Sequence, residues 1–369
     1  MGKEIINLII VEDDKSTRDM YEDSIVTFNK ENDQYRIACN LLEDDEKVPE
    51  ILYNQRIDAI IIDLLWKHRQ GKGKKDGYNL VEKIYDDCRV PIFIVSGNLN
   101  LLDKDYKESP IFKMYDRDQI NNTELFDKIK ELYKTGYTRA LGNQSEIDKK
   151  LRDVFWDHMA ETIHYWSGHD MQTQRMLRFA ITRINEMLNL KSDHKEGDHT
   201  HDEYDAIEFY IKNPAKKRSE ISKKPFTGDI VQYNEKEYVV MTTACDMENK
   251  KTDYVVLCGI DYEKVKEIKT KIKDENRRKS GINDLEKYVN NNVLRYHLLP
   301  PCQLFEGGLV DFQNIASVKK EDFESNYTVI VSINPVFHKD IQARFSHYYG
   351  RQGQPQLNKD AIADWIRKK

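Results

Sequence analysis

Ile5-Ile6-Asn7-Leu8-Ile9-Ile10-Val11 runs directly into Glu12-Asp13-Asp14. Farther along, Ile57-Asp58-Ala59-Ile60-Ile61-Ile62 runs into Asp63 in the same way. Both stretches are apolar, of strand length and rich in β-branched side chains, and both end on carboxylates. Strands of a parallel sheet carry continuous apolar runs because helices cover both faces. Open α/β sheets bind ligands at the carboxyl ends of their strands. Two such strands side by side would gather Glu12, Asp13 and Asp63 into one acidic pocket. Such a pocket suits a hard, oxygen-preferring cation such as Mg²⁺.

Two further runs extend the pattern. Val90-Pro91-Ile92-Phe93-Ile94-Val95 ends on Ser96-Gly97, which places a hydroxyl at the same edge, and Pro110-Ile111-Phe112-Lys113-Met114-Tyr115 brings a cation near it. Taken in chain order, the carboxylate pair, lone aspartate, hydroxyl and cation resemble the receiver domain of two-component response regulators, over about the first third of the chain. The resemblance implies a flavodoxin-like, doubly wound α/β fold with a parallel sheet. It implies that Glu12, Asp13 and Asp63 hold Mg²⁺ and that Asp63 accepts a phosphoryl group. Ser96 would donate a hydrogen bond to one phosphoryl oxygen and Lys113 would pair with another. A histidine kinase or other phosphodonor would be the partner, and a helix–strand face would repack on phosphorylation. The chemistry is coherent on its own terms: a carboxylate attacking a charged phosphoryl donor needs a divalent ion to neutralise and orient both.

The sequence also departs from the receiver pattern. Trp66-Lys67-His68-Arg69-Gln70-Gly71-Lys72-Gly73-Lys74-Lys75-Asp76 inserts a basic segment after Asp63, in the place of a short loop. A solvated charge run is the ordinary account of it. Arg117 competes with Lys113 for the cation's place, and Arg117 there would favour a phosphate-independent pseudo-receiver. Gly97 to Asp103 leaves little room for a full helix. The plainer alternative is a flavodoxin-like sheet with incidental acids at its strand ends.

The chain has 369 residues, enough for two or three domains, with 39% apolar and 33% charged residues. No run reaches the roughly 20 apolar residues that span a bilayer. Met1-Gly2-Lys3-Glu4 leads directly into the first strand, so no signal peptide is expected, and Ile6 stands where a myristoylation signal needs Ser or Thr. Five cysteines without a CxxC pair imply a reducing compartment, and the expectation is a soluble cytoplasmic protein with no membrane partner. A net charge of −6 argues against a globally electrostatic nucleic-acid binder while leaving room for a local basic face.

Three regions are expected: a receiver-like domain over 1–137, a helical connector with a polar His/Asp-rich loop over 138–222, and a β-rich output domain with C-terminal helices over 223–369. Asn122 to Tyr133 reads as a helix with Thr123 as its N-cap. In the connector, Ile147, Leu151, Val154, Phe155 and Met159 form one stripe at helical spacing. Leu177, Ile181, Ile184 and Leu188 form another, with a break near Ser167-Gly168. Such helices transmit signals or form a homodimer seam. His158, His164 and His169 lack the spacing of a metal-binding helix. Ser192 to Glu203 carries three histidines and several acids, but has no apolar residue to fix a metal's geometry.

Past Pro225, short β runs suggest a small barrel or sandwich. These are Gly228–Tyr233, a turn at Asn234-Glu235-Lys236, Tyr238–Cys245, Tyr254–Ile260, Leu309–Phe312 and Tyr327–Ile333. Charged helices are expected at Asp261–Lys279 and Leu285–Val293, and C-terminal helices at Pro335–Tyr349 and Lys359–Arg367. Thr227-Gly228-Asp229-Ile230-Val231 is similar to the start of SH3-like barrels, including the MazF/PemK toxin family, over two strands. Cys245 beside Asp246 is a candidate nucleophile pair, if His297 or His338 approaches. Arg344 to Pro355, with Arg344, Arg351 and several aromatics, suits phosphate and base contacts or simple docking on the barrel. Lys264 to Lys279 is either the solvated face of a helix or a nucleic-acid contact.

The function expected is a response-regulator-like signalling protein in which phosphorylation of Asp63 switches a β-rich effector module through a helical connector or dimer. One alternative is a pseudo-receiver effector of a bacterial conflict system, with a nuclease-like or nucleic-acid-binding output domain. The other is a non-catalytic scaffold. The receiver would catalyse its own phosphoryl transfer, and the output region carries no secure catalytic motif.

Overall fold

The computed structural model describes residues 2–64, 66, 76–97, 99, 106–160, 163–166, 172–189, 204–212, 225–248, 252–351 and 356–368. The chain divides into two compact units, Met1–Asp193 and His194–Lys369. Residues 67–75 of the basic insertion, His169 and the His-rich stretch lie outside the described residues, as do most of 98–105.

In the first unit, β1 (Glu4–Val11), α1 (Lys15–Glu31), β2 (Tyr35–Leu42), α2 (Val48–Asn54), β3 (Ala59–Ile62), α3 (Asp76–Asp87), β4 (Ile92–Ser96), β5 (Phe112–Asp116) and α4 (Asn122–Lys134) follow in order. The five strands are all parallel, in the order β2-β1-β3-β4-β5. This is the flavodoxin-like order, and its switch point falls between β1 and β3. The period-two geometry of a strand explains the unbroken apolar runs. Ile6, Leu8 and Ile10 face the layer containing Tyr21, Phe28, Phe126 and Ile129 of α1 and α4. Ile9 and Val11 face the opposite layer, with Leu52, Leu80, Val81 and Ile84 of α2 and α3. Both faces of the central strands are covered by helices, so the two faces of β1 and β3 are almost wholly apolar.

The cap of α4 is one place where sequence and structure differ. Asn121, not Thr123, accepts from the Glu124 amide at 2.9 Å, so the cap of α4 lies two residues earlier than the threonine suggested. Either side chain can cap a helix.

After α4, the first unit continues through α5 (Tyr137–Leu141), α6 (Glu146–Asp153), a π-helical turn (Val154–Met159) and α7 (Gln172–Asn189). Two polar fastenings tie this segment to the parallel sheet. Buried Asp58 accepts from the Thr138 hydroxyl at 2.7 Å and from the Asn7 amide at 2.9 Å. Arg89 donates to the Leu141 and Gly142 carbonyls and pairs with Asp148 at 2.5 Å.

The second unit is built on β6 (Tyr210–Ile211), β7 (Asp229–Tyr233), β8 (Lys236–Val240), β9 (Tyr254–Asp261), β10 (Tyr296–Leu299), β11 (Gly308–Lys319) and β12 (Tyr327–Ile333). These pair antiparallel in the order β10-β11-β9-β8-β7-β12-β6. Asn234 and Glu235, both with positive φ, close the β7–β8 hairpin at the expected turn. One core contains Ile230, Cys258, Phe312 and Ile341; the other contains Val231, Val240, Leu257 and Phe323.

Two elements differ from their expected extent. The strand starting near Tyr238 stops at Val240, and the chain turns into a short helix, α8 (Ala244–Glu248), whose Asp246 accepts from Thr243 Oγ1 at 2.8 Å. A local hydroxyl–carboxylate bond of this kind competes with the sheet ladder. The two charged helices, α9 (Glu263–Lys273) and α10 (Arg278–Val289), divide earlier than expected, because Asp274 ends the first and binds Arg277. Three more helices complete the unit: α11 (Lys320–Asn326), α12 (Pro335–Gly350) and α13 (Lys359–Arg367). No helix among the described residues is long and apolar enough to cross a membrane.

Candidate functional site: an acidic pocket at the carboxyl edge of the parallel sheet

Strand register assembles the pocket. Val11 lies opposite Ile62, so Glu12 and Asp63 are level as they leave adjacent strands. The Asp63 amide donates to the Val11 carbonyl at 3.0 Å and the Glu12 amide to the Leu42 carbonyl at 3.0 Å, which holds both residues at the sheet edge. Glu12, Asp13 and Asp63 are all buried, and one carboxylate oxygen from each lies within 4.8 Å of the other two. Ser96 is fully buried at the end of β4, in register with Asp116 of β5.

Local contacts fix the loop that carries the acids. Asp14 caps α1, accepting from the Thr17 amide and hydroxyl at 3.0 Å. Arg18 donates to the carbonyls of Glu12 and Asp13 at 2.7 and 2.8 Å, which fixes the backbone that carries both carboxylates. On the β3 side, the Trp66 indole donates to the Asp63 carbonyl at 3.0 Å. Gly77, in the first turn of α3, approaches this segment so closely that a Cβ would lie 2.4 Å from the Asp63 carbonyl oxygen. Neither Arg18 nor Trp66 carries a sequence signal for these roles. Gly77 does, as the first glycine after the basic insertion.

The cation in the pocket is Arg117. Its Nη2 lies 2.7 Å from Glu12 Oε2 and 3.0 Å from Asp63 Oδ2. Lys113, slightly favoured on sequence, instead pairs with Glu108 at 3.3 Å. The reason is strand rise: the site lies past the end of β5, and Lys113 sits three residues before that end, roughly 10 Å back along the strand. Arg117 is the first residue beyond it.

The electrostatics follow from burial. Removal from water pushes the Glu12 carboxyl up to about 7, and the Asp63 charge adds to the shift, while Arg117 and the Asp14 amide partly offset it. Burial alone would lower the Arg117 pKa, but Glu12 and Asp63 outweigh this and raise it. Three buried carboxylates, each with an oxygen within 4.8 Å of the others, form a donor set that fits a hard divalent cation. Glu12, Asp13 and Asp63 would hold it.

Of the candidate residues of the second unit, Arg344 lies close enough to His297 to act on its charge. Cys245 is exposed on α8. His297 is buried, with Nδ1 at 2.9 Å from the Leu298 carbonyl and Nε2 at 3.1 Å from Asp340. His338 packs behind Gly228, whose φ of +83 and 2.9 Å clearance explain the glycine. Arg344 binds the Asn291 side chain and the carbonyls of Val293 and Tyr296, and Arg351 lies over the Tyr348 ring at 4.1 Å. Asp246 is engaged with Thr243. Among the described residues, no contact joins Cys245 to these histidines or arginines. In the basic run, Lys266, Lys271 and Arg277 pair with acids of their own helices or the neighbouring one.

No protein-family model matches the chain, and no curated protein matches it. Solved structures do. The receiver domain of the sensor histidine kinase PA1611 from Pseudomonas aeruginosa PAO1, which has a magnesium ion in its active-site cleft, is 18% identical. It covers 34% of this chain and 96% of its own, at a TM-score of 0.26. A CheY-like receiver domain from Methylobacillus flagellatus is 16% identical over 35% of this chain and 99% of its own, at a TM-score of 0.27. MazE-MazF from Deinococcus radiodurans is 12% identical over 35% of this chain and 99% of its own, at a TM-score of 0.23. The first third of the chain is thus similar to CheY-like receiver domains; residue roles rest on this chain's own geometry.

Proposed function

We propose that the first unit is a receiver-like signalling switch with Asp63 as its phosphoryl acceptor. The convergence of buried Glu12, Asp13 and Asp63 at the carboxyl edge of the sheet carries this reading. An Asp63 carboxylate oxygen forms a bond to phosphorus as the donor's bond to its leaving group breaks, and the leaving group departs with that electron pair. Mg²⁺, when bound, supplies the positive charge that lets two anions meet. Ser96 donates to a phosphoryl oxygen, and Arg117 pairs with another. The partner is a histidine kinase or another phosphodonor.

The connector helices and the β-rich unit then read the switch. Arg89 and Thr138 fasten the connector to the sheet, which supports a mechanical link. Leu177, Ile181 and Leu188 are exposed along α7, which supports a homodimer.

The test is intact mass of the full chain after incubation with Mg²⁺ and acetyl phosphate, beside Asp63→Asn. One phosphoryl adduct in the wild type and none in the variant is expected. No adduct under conditions that label an authentic receiver would reject phosphoryl acceptance. A second reading, a phosphate-independent pseudo-receiver, is favoured by one observation: Arg117 already bridges Glu12 and Asp63.

A further inference from the structure

We infer that Arg117 is a resident cation that competes with a divalent metal ion for Glu12 and Asp63, and so sets the metal affinity of the pocket. The inference rests on the reading of Glu12, Asp13 and Asp63 as metal-holding carboxylates.

Four observations support it. Arg117 Nη2 is within hydrogen-bonding distance of oxygens on two of the three carboxylates at once, 2.7 Å from Glu12 and 3.0 Å from Asp63. Both residues belong to the group of three in which one carboxylate oxygen of each lies within 4.8 Å of the others. Glu12 Oε1 already accepts from the Asp14 amide at 3.1 Å, so a metal reaching Glu12 meets Oε2, where the guanidinium lies. The Arg117 side chain is 39% exposed, so it can leave toward water without carrying its charge through the core.

The choice of arginine matters. A guanidinium does not lose its proton in proteins, and its planar fork suits two carboxylates at once. The competition is therefore relieved by moving the side chain, not by neutralising it. A doubly charged ion and the guanidinium repel when both contact the same two carboxylates. Mg²⁺ sheds its waters reluctantly and is disfavoured most; Mn²⁺, higher in the affinity order than Mg²⁺ for mixed donor sets and content with carboxylates, is disfavoured less. Metal binding and release of Arg117 become one event, and the freed guanidinium is available to an anion at the pocket mouth.

The test is calorimetric titration of Mg²⁺ and Mn²⁺ into the EDTA-treated full chain, comparing wild type, Arg117→Met and Arg117→Lys. Met keeps an apolar stem without the charge. Tighter Mg²⁺ binding by Arg117→Met, by tenfold or more and with one site, is expected, with Arg117→Lys in between. Equal or weaker binding by Arg117→Met overturns the inference and leaves the metal reading standing. No binding of either ion by any variant overturns the metal reading, and the inference with it. A parallel measurement needs no variant: the Arg117 Nε–H resonance of the wild type should shift as Mg²⁺ saturates the site. A resonance that stays put at saturation also overturns the inference.

Discussion

The acids buried at the carboxyl edge of the first unit's sheet and those buried in the second unit are met in different ways. In the second, Asp311 is met by both arms of Arg295 at 2.7 and 2.6 Å, and Asp229 by the Phe226 amide at 2.7 Å and the Ser332 hydroxyl at 2.9 Å. Each carboxylate has donors of its own. In the first, among the described residues, one guanidinium reaches across two of three clustered carboxylates. Matched acids hold a fold together; crowded acids leave a charge that a ligand can satisfy. The difference is one of arrangement: three carboxylates gathered at one sheet edge in the first unit, and carboxylates held singly in the second.

The contrast should be largest in pH dependence. Glu12 rises from an ordinary 4.5 to about 7, so below 4.5 it is protonated in both folded and unfolded chains and costs nothing. As pH climbs toward 7 the unfolded carboxyl ionises first, and the metal-free first unit loses up to about 3 kcal/mol. Glu12→Gln should remove that loss and raise metal-free stability near pH 7.5 by about 1 to 3 kcal/mol. Urea unfolding followed by tryptophan fluorescence reads it, since Trp66, Trp156 and Trp166 lie in the first unit and Trp365 in the second. A Glu12→Gln chain less stable than wild type at that pH would mean that the pocket is matched internally, like the second unit.

Metal should follow closely in size. At a hundredfold excess over its Kd, Mg²⁺ stabilises by about 2.7 kcal/mol whatever it binds natively. Hydrogen exchange should show this protection in β1, β3 and α1 and not in β7 to β12. Equal protection of both units would erase the contrast.

The histidines give the opposite sign. Burial lowers the pKa of His297, with Arg344 adding to it and Asp340 opposing, and burial likewise lowers that of His338. Each therefore binds its proton less tightly folded than unfolded, so the second unit should lose stability as pH falls through the ordinary 6.5 toward their folded values. Over the same interval the metal-free first unit gains. Exchange rates measured unit by unit at several pH values should therefore diverge, and parallel profiles would refute the assignment. The smallest effect belongs to Asp340→Asn. Its carboxylate is half exposed, so losing the His297 contact should cost under about 1 kcal/mol. Thermal unfolding at pH 7.5 is sufficient to measure it.

The pattern of apolar runs ending on acids was enough to foresee the parallel sheet, because side-chain alternation and burial on both faces are local consequences of sequence. Ile6, Leu8 and Ile10 against Ile9 and Val11 show it directly. The same was true of the β12 strand and the two C-terminal helices, whose spacing is also local. Arg18 and Trp66 were not legible, since each acts through one hydrogen bond to a backbone carbonyl that only the folded loop presents.

Sequence alone thus determined which acids share an edge, because strand length and the abrupt end of each apolar run place Glu12, Asp13 and Asp63 just past the last apolar residue of β1 and β3. Tertiary structure decided which cation meets them. Lys113 and Arg117 are four residues apart in the chain, and composition cannot rank them. The register of β5 against β4 leaves Lys113 beside Glu108 and carries Arg117 past the edge into the pocket. That choice depends on where a strand stops relative to its neighbours, a property of the assembled sheet.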